Sequence, residues 1–195
     1  MSTTTAQLHI RQLAKKARVF GLAESPSLLP QHKHVLAEAD GAKRLLTTAE
    51  LKMLCAQSGT TTSALERLQG QAEALVDASK QALLRKQPDL VAPGGALYPQ
   101  DRAEACWRDC YHFLRVSCYG AACAESRICD PEGMAALGEL YALLGVPTGA
   151  LQLALVELRT RACAAYADAG ATPQENEVLK GAIAELEQWI RRFCG

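Results

Sequence analysis

Arg102, Cys106, Arg108 and Asp109 stand within about two turns of a predicted helix, in the run PGGALYPQDRAEACWRDCYHFLR. Intervals of three and four residues put Cys106, Asp109 and Cys110 on one helix face, and Arg102 lies one turn earlier on that same face. A thiol is a nucleophile for covalent attachment. A carboxylate accepts hydrogen bonds from ring N–H groups, and a guanidinium pairs with an acidic side arm, often bidentately. Together these groups suit a conjugated ligand held by a covalent bond. The same spacing also fits a solvated charged stripe beside two small buried cysteines, because free cysteine is among the most buried residue types.

The chain around these residues has 195 positions, enough for one domain or one domain with an extension. Lysine plus arginine total 21 and aspartate plus glutamate total 21, so net charge gives no reason to expect a nucleic acid as partner. Aromatic residues make up only 5%, and Leu and Ala dominate, a composition that suits helices. Eight cysteines occur: Cys55, Cys106, Cys110, Cys118, Cys123, Cys129, Cys163 and Cys194. They form no C-x-x-C pair and no cysteine–histidine cluster with zinc-ligand spacing, so no metal site is expected. Residues 1–30 lack the uninterrupted apolar stretch of a secretory signal, and no apolar run approaches the roughly 18 residues that span a bilayer. The expectation is a cytoplasmic, reducing compartment with free thiols and no integral membrane segment.

Helical signals run along the whole chain. Residues 5–20 carry Ile10, Leu13, Ala17 and Phe20 at helical spacing, with Arg11, Lys15, Lys16 and Arg18 mostly on the other side. Ser25-Pro26 and Leu29-Pro30 mark a connector, a short helix covers 31–39, and Asp40-Gly41 breaks it. Thr47-x-x-Glu50 is a capping box for a helix over 48–58. Ser63-x-x-Glu66, or Thr62, opens a longer helix to about Lys86. Pro88 and Pro93-Gly94-Gly95 interrupt the chain before a long helix from about Pro99 to Ala122. Asp130-Pro131 pairs an N-cap with proline at the first helical position, starting 131–143. Gly145-Val146-Pro147 turns the chain into a helix ending near Asp168, and Gly170 and Pro173 precede a last helix over 174–193. No segment alternates like a strand, so the expected fold is all-α, with about eight helices around one core.

From about Asp40 to about Asp168 the chain resembles the phycobiliproteins, most closely the allophycocyanin-like ones. The resemblance is carried by QPDLVAPGGALY, ACWRD, FLR, Tyr119-Gly120 and ELYALLGVP, at the family's intervals from Cys106 to Tyr119 and from Tyr119 to Tyr141. It implies a globin-like fold with an N-terminal helical arm and extension over 1–39 and a bilin-binding domain over 40–195. It also implies an open-chain tetrapyrrole, a bilin of the phycocyanobilin type, joined by a thioether to Cys106. By position Asp109 would accept hydrogen bonds from pyrrole nitrogens, Arg108 and Arg102 would contact propionates, and Tyr141 would line the pocket wall. Ala96 stands where the family often has an asparagine that β-type subunits methylate, which argues against an ordinary β subunit. Trp107, His112-Phe113, Cys123-Ala124-Glu125 and a lengthened N-terminal region are further departures, and they mark a divergent paralogue.

The resulting expectation is a non-enzymatic chromoprotein with one bilin at Cys106. It would absorb light and transfer energy in a phycobilisome-type assembly, or act as a light-dependent allophycocyanin-like accessory protein. Its arm would pack on a second copy or on another phycobiliprotein subunit, with a cytoplasmic or thylakoid-surface location. Two rivals remain at this point: a pigment-free structural paralogue, and a globin-like sensor with haem on His112.

Overall fold

The computed structural model describes residues 3–193. Among them the chain forms nine α-helices: α1 (Thr3–Lys16), α2 (Pro30–Gly41), α3 (Thr48–Ser58), α4 (Thr62–Gly70), α5 (Ala72–Lys86), α6 (Gln100–Ala122), α7 (Pro131–Leu144), α8 (Thr148–Asp168) and α9 (Pro173–Phe193). Short 3-10 turns lie at Leu22–Glu24 and Pro88–Val91. The described residues contain no strand beyond a single bridge between Phe20 and Cys129. The all-α expectation holds, as does its order of helices.

One expected helix is two. The stretch from Thr62 to Lys86 breaks at Gly70-Gln71, where Gln71 leaves helical geometry and its N–H reaches back to Leu68 O at 3.1 Å. Glycine has the lowest helix propensity after proline, so Gly70 is the weak link. Buried Gln69 then holds the end of α4 in place: its amide bonds both the N–H and the C=O of Leu46, each at 3.1 Å. The cap differs too. Thr61 rather than Thr62 or Ser63 precedes α4, and its N–H and hydroxyl both go to Glu175. Glu175 itself closes a capping box with Thr172 at the start of α9, a signal present in the sequence as T-x-x-E. The Thr47–Glu50 box and the Asp130 cap of α7 form as expected.

Helix α6 runs through the centre, against α3, α4, α5, α8 and α9. Its two halves differ. Every residue from Phe113 to Ala122 is buried, whereas in the first half only Ala103, Cys106 and Cys110 are. Those three, spaced three and four apart, form one narrow apolar stripe on an otherwise polar helix. A buried ionic group fixes the second half: the Arg115 guanidinium donates to Asp40 at 2.7 Å and to the Tyr119 hydroxyl at 2.6 Å, and Tyr119 donates on to Arg44 O. Arg44 in turn grips Glu50 with two bonds of 2.7 Å, so the α2–α3 connection is tied to α6.

The N-terminal arm differs most from expectation. Helix α1 stops at Lys16, and residues 18–21 run as a seam beside 128–133. Gly21 N–H donates to Ile128 O at 2.7 Å, Asp130 N–H donates to Val19 O at 2.9 Å, and Arg18 pairs with Asp130 at 2.6 Å. The chains approach so closely that a Cβ on Gly21 would sit 2.4 Å from the Cys129 carbonyl carbon. Burial pushes the Asp130 carboxyl up, but the Gly133 N–H and the Arg18 guanidinium outweigh it and hold it below the usual range. The stripe of Ile10, Leu13, Ala17 and Phe20 meets its own chain: α1 lies on α7, and Phe20, Leu22, Leu28, Leu36 and Ala39 join the same apolar core as α6.

Candidate bilin-binding site

A cleft of about 380 Å³ opens between the first turns of α6 and the corner joining α7 to α8. Arg102, Cys106 and Asp109 line it from α6, and Leu144, Val146 and Pro147 line it from the corner. Three of the expected site residues therefore share one cavity, because their i, i+4 and i+7 spacing keeps them on one helix face. The corner is made by Gly145 in the left-handed region, φ 62°, which lets Val146 N–H close on Tyr141 O at 2.9 Å. A Cβ at Gly145 would be strained and would stand 3.7 Å from the Arg102 guanidinium. Cys106 lines the floor of the cleft, is only 4% exposed and belongs to the apolar core.

Asp109 closes the inner end. Its Oδ2 accepts a hydrogen bond of 2.5 Å from the Tyr141 hydroxyl, and the edge of the Phe193 ring packs against Tyr141 at a centroid distance of 6.1 Å. Burial raises the Asp109 carboxyl above its ordinary value; the Tyr141 hydrogen bond and the Arg108 charge pull it back only in part. Burial, followed by the Asp109 charge, likewise pushes the Tyr141 phenol up. Asp109 also borders a smaller cavity of about 150 Å³ beneath the end of the arm, which Tyr141 lines with it. His112 lines that second cavity, with Nδ1 buried and without a hydrogen-bond partner. Its volume is below the roughly 300 Å³ of ordinary ligand pockets.

Three expected residues do not line the cleft: Tyr141 stands behind Asp109, and Arg108 and Ala96 lie elsewhere. Arg108 lines a separate groove with Glu73, Val76, Asp77, Lys80, Trp107 and Tyr111, between α5 and α6. Two residues from Cys106 on a helix, it points to the far side; i and i+2 do not face each other. Ala96 is exposed in the loop before α6 and does not line the cavity. Sequence reasoning missed Asp101, Leu144, Val146 and Pro147. The Gly145-Val146-Pro147 turn was visible in the sequence, but nothing local showed that it folds against Arg102.

The seven described cysteines are all free thiols, and Cys194 lies outside the described residues. Burial pushes the Cys118 and Cys123 thiols up to about 12 and raises Cys129 and Cys163 as well, so these are poor nucleophiles. Of the seven, Cys106 alone lines the cleft. Among the described residues no group of three or more His, Cys, Asp or Glu is placed to hold a metal ion, and no helix is long and apolar enough to cross a membrane.

The all-α fold is what the resemblance leads one to expect. Comparison with known proteins gives the family directly. The family model described as phycobilisome protein matches residues 34–190. The chain is 30% identical over 164 residues to the C-phycocyanin beta subunit of Arthrospira platensis, covering 82% of this chain and 94% of that one. It is 29% identical over 168 residues to the C-phycocyanin beta chain of Pyropia haitanensis, covering 85% and 96%. A C-phycocyanin beta subunit of Synechococcus elongatus is 31% identical over 159 residues, covering 80% and 91%. The chain belongs to the phycobilisome protein family, and its fold is the all-α, globin-like phycobiliprotein fold. These three relatives carry phycocyanin β names, so membership is shown for the family and not for an allophycocyanin-like subtype.

Proposed function

We propose that this protein is a non-enzymatic chromoprotein that carries one bilin, of the phycocyanobilin type, as a thioether on Cys106. The observation that carries the proposal is the cleft itself: about 380 Å³, with one thiol on its floor, one guanidinium at its rim and one carboxylate at its inner end. When bound, the bilin supplies the conjugated system that absorbs light. Arg102 pairs with a propionate at the rim, and Asp109 accepts from pyrrole N–H groups. A cleft between two rigid helical elements excludes water and restricts torsion, which keeps absorbed energy from being lost as heat. Arg108, on the far side of α6, reaches such a ligand only by swinging its long side chain around the helix, and we assign it no primary role. The setting that the family supports is light harvesting in a phycobilisome-type assembly, at a cytoplasmic, thylakoid-facing location. The departures at Ala96 and Trp107, and an arm folded onto its own α7, favour an accessory, allophycocyanin-like role over that of a bulk antenna subunit.

Co-expression with a bilin-producing pathway, followed by denaturing electrophoresis with zinc fluorescence, tests this. The expected result is a fluorescent band that disappears in Cys106→Ser while far-ultraviolet helicity is kept. A band that survives in Cys106→Ser, or no band in the unaltered chain, overturns it. The second of those results, with a well-folded protein, favours the pigment-free structural reading.

A further inference from the structure

The lengthened N-terminal region builds a second cavity. Its connector and the first turn of α2 wall a space of about 270 Å³, closed on the other sides by α3 and by the turn that follows α6. This cavity shares no residue with the cleft at Cys106. Leu28 and Leu54, both buried, give it an apolar side. Its polar side is His32 and Glu125. His32 is 2% exposed, and its Nδ1 is buried without a hydrogen-bond partner. Glu125 is a half-buried carboxylate held at one oxygen only. The hydroxyls of Ser25 and Ser27 both donate to Oε1, the first at 3.3 Å, and Oε2 accepts from no described residue. No lysine or arginine lines the cavity, and no described cation pairs with Glu125. The Ser58 hydroxyl on the wall is committed to Ala122 O at 2.7 Å. What the wall leaves open is therefore chiefly acceptor, with one negative charge.

We infer that this cavity binds a small organic cation with N–H donors, a primary ammonium or a guanidinium on a short aliphatic chain. The charged head donates to Glu125 Oε2 and to the imidazole of His32, and the chain lies against Leu28 and Leu54. Charge decides the sign of the ligand. A carboxylate without a cationic partner disfavours anions, and in a space partly shut from water a charge-assisted hydrogen bond to it gains more than in bulk solvent. The imidazole adds direction, because a buried nitrogen without a partner costs free energy that a ligand donor recovers. Size limits the chain to a few carbons, since the cavity lies just under the roughly 300 Å³ at which ordinary ligand pockets begin. A metal ion fits less well: His32, Cys123 and Glu125 border the cavity, yet among the described residues no three such groups are placed to hold one together. The inference does not depend on the bilin reading. A free amine and the lysine or arginine side chain of another chain present the same head.

The test titrates butylammonium into the full-length protein at constant ionic strength, followed by calorimetry and by the NMR signals of the His32 ring. Tetramethylammonium has the charge without an N–H donor, and butanol has the chain without the charge. Butylammonium should bind saturably, with the His32 signals moving on the same isotherm, and both controls should bind roughly tenfold more weakly or less. Glu125→Gln keeps an oxygen for the two serines and should weaken binding roughly tenfold, the size of a lost hydrogen bond to a charged group. His32→Phe keeps the ring and should weaken it about fivefold. Unsaturable binding, His32 signals that do not follow the isotherm, or equal affinity for Glu125→Gln or for tetramethylammonium overturns the inference. If His32→Phe does not fold, the ring signals of the unaltered protein and the Glu125→Gln titration still decide. Sedimentation with and without butylammonium then assigns the source of the cation. An unchanged mass supports a free amine, and a mass lowered by the probe supports a lysine or arginine side chain of a second copy.

Discussion

Asp109 is the residue on which colour should depend most. It sits between two cavities, takes the Tyr141 hydrogen bond, and is raised by burial above the usual carboxylate range. A bilin that presents N–H groups to Asp109 must share this acceptor with the Tyr141 hydroxyl or displace it. Asp109→Asn keeps the shape and one acceptor oxygen but removes the charge. The loaded variant should keep its thioether and show a shifted or weakened visible band; a spectrum equal to the unaltered protein at full occupancy would count against the role. At this scale the sequence was readable where helix periodicity governs. Arg102, Cys106 and Asp109 share a face by arithmetic alone. Arg108 obeys the same arithmetic and points away, so the family expectation and the helix geometry disagree at that one position. Tyr141 was placed by resemblance, and its partner was not legible, because a hydrogen bond between residues 32 positions apart is a tertiary fact.

Helix α6 is the element that holds the site, and its hold depends on the Arg115 group. Arg115 is 2% exposed and bonds Asp40 and Tyr119. Cutting the side chain to methionine leaves Asp40 with only the exposed Lys43 at 3.2 Å and the Tyr119 hydroxyl one partner short. Removal of one partner of a fully buried pair costs about 3–5 kcal/mol and Asp40 keeps Lys43, so Arg115→Met should lower the urea midpoint by less than that full penalty while Cys106 remains competent in the folded fraction. A midpoint within error of the unaltered protein would show that the pair contributes nothing net. The caps written in local sequence formed as read, at Thr47–Glu50 and at Asp130-Pro131, because a capping box involves only residues three apart. The break at Gly70 is not written in local sequence. A glycine within an otherwise helical pattern is tolerated as often as it breaks, and what decided it was the distant Leu46 backbone bonded by Gln69.

For the whole molecule, the fold redefines the arm. Residues 18–21 are sewn to 128–133 and Phe20 is in the core, so a chain shortened to about Gln31 would lose core rather than arm. A chain beginning at Ala17 removes α1 alone. We expect the full chain to sediment as at least a dimer and the shortened one to associate more weakly, since Leu8 is exposed on the face of α1 opposite the stripe seated on α7. Identical monomers at micromolar concentration would mean that α1 serves only its own chain. The sequence showed the stripe of Ile10, Leu13, Ala17 and Phe20 but not what covers it, because amphipathicity states that a face must be buried and leaves the other surface unnamed. The contrast between the two halves of α6 has one more consequence. Local opening free energy follows burial, so it must climb steeply along this single helix, from the solvent-washed turn at Asp101 to the sealed turn at Tyr119. Cys106 lies on that slope. On the proposed reading, the turn that carries Cys106 can breathe enough to admit a ligand while the turns behind it stay closed, and a pigment fixed there would hang from a yielding turn backed by an unyielding one.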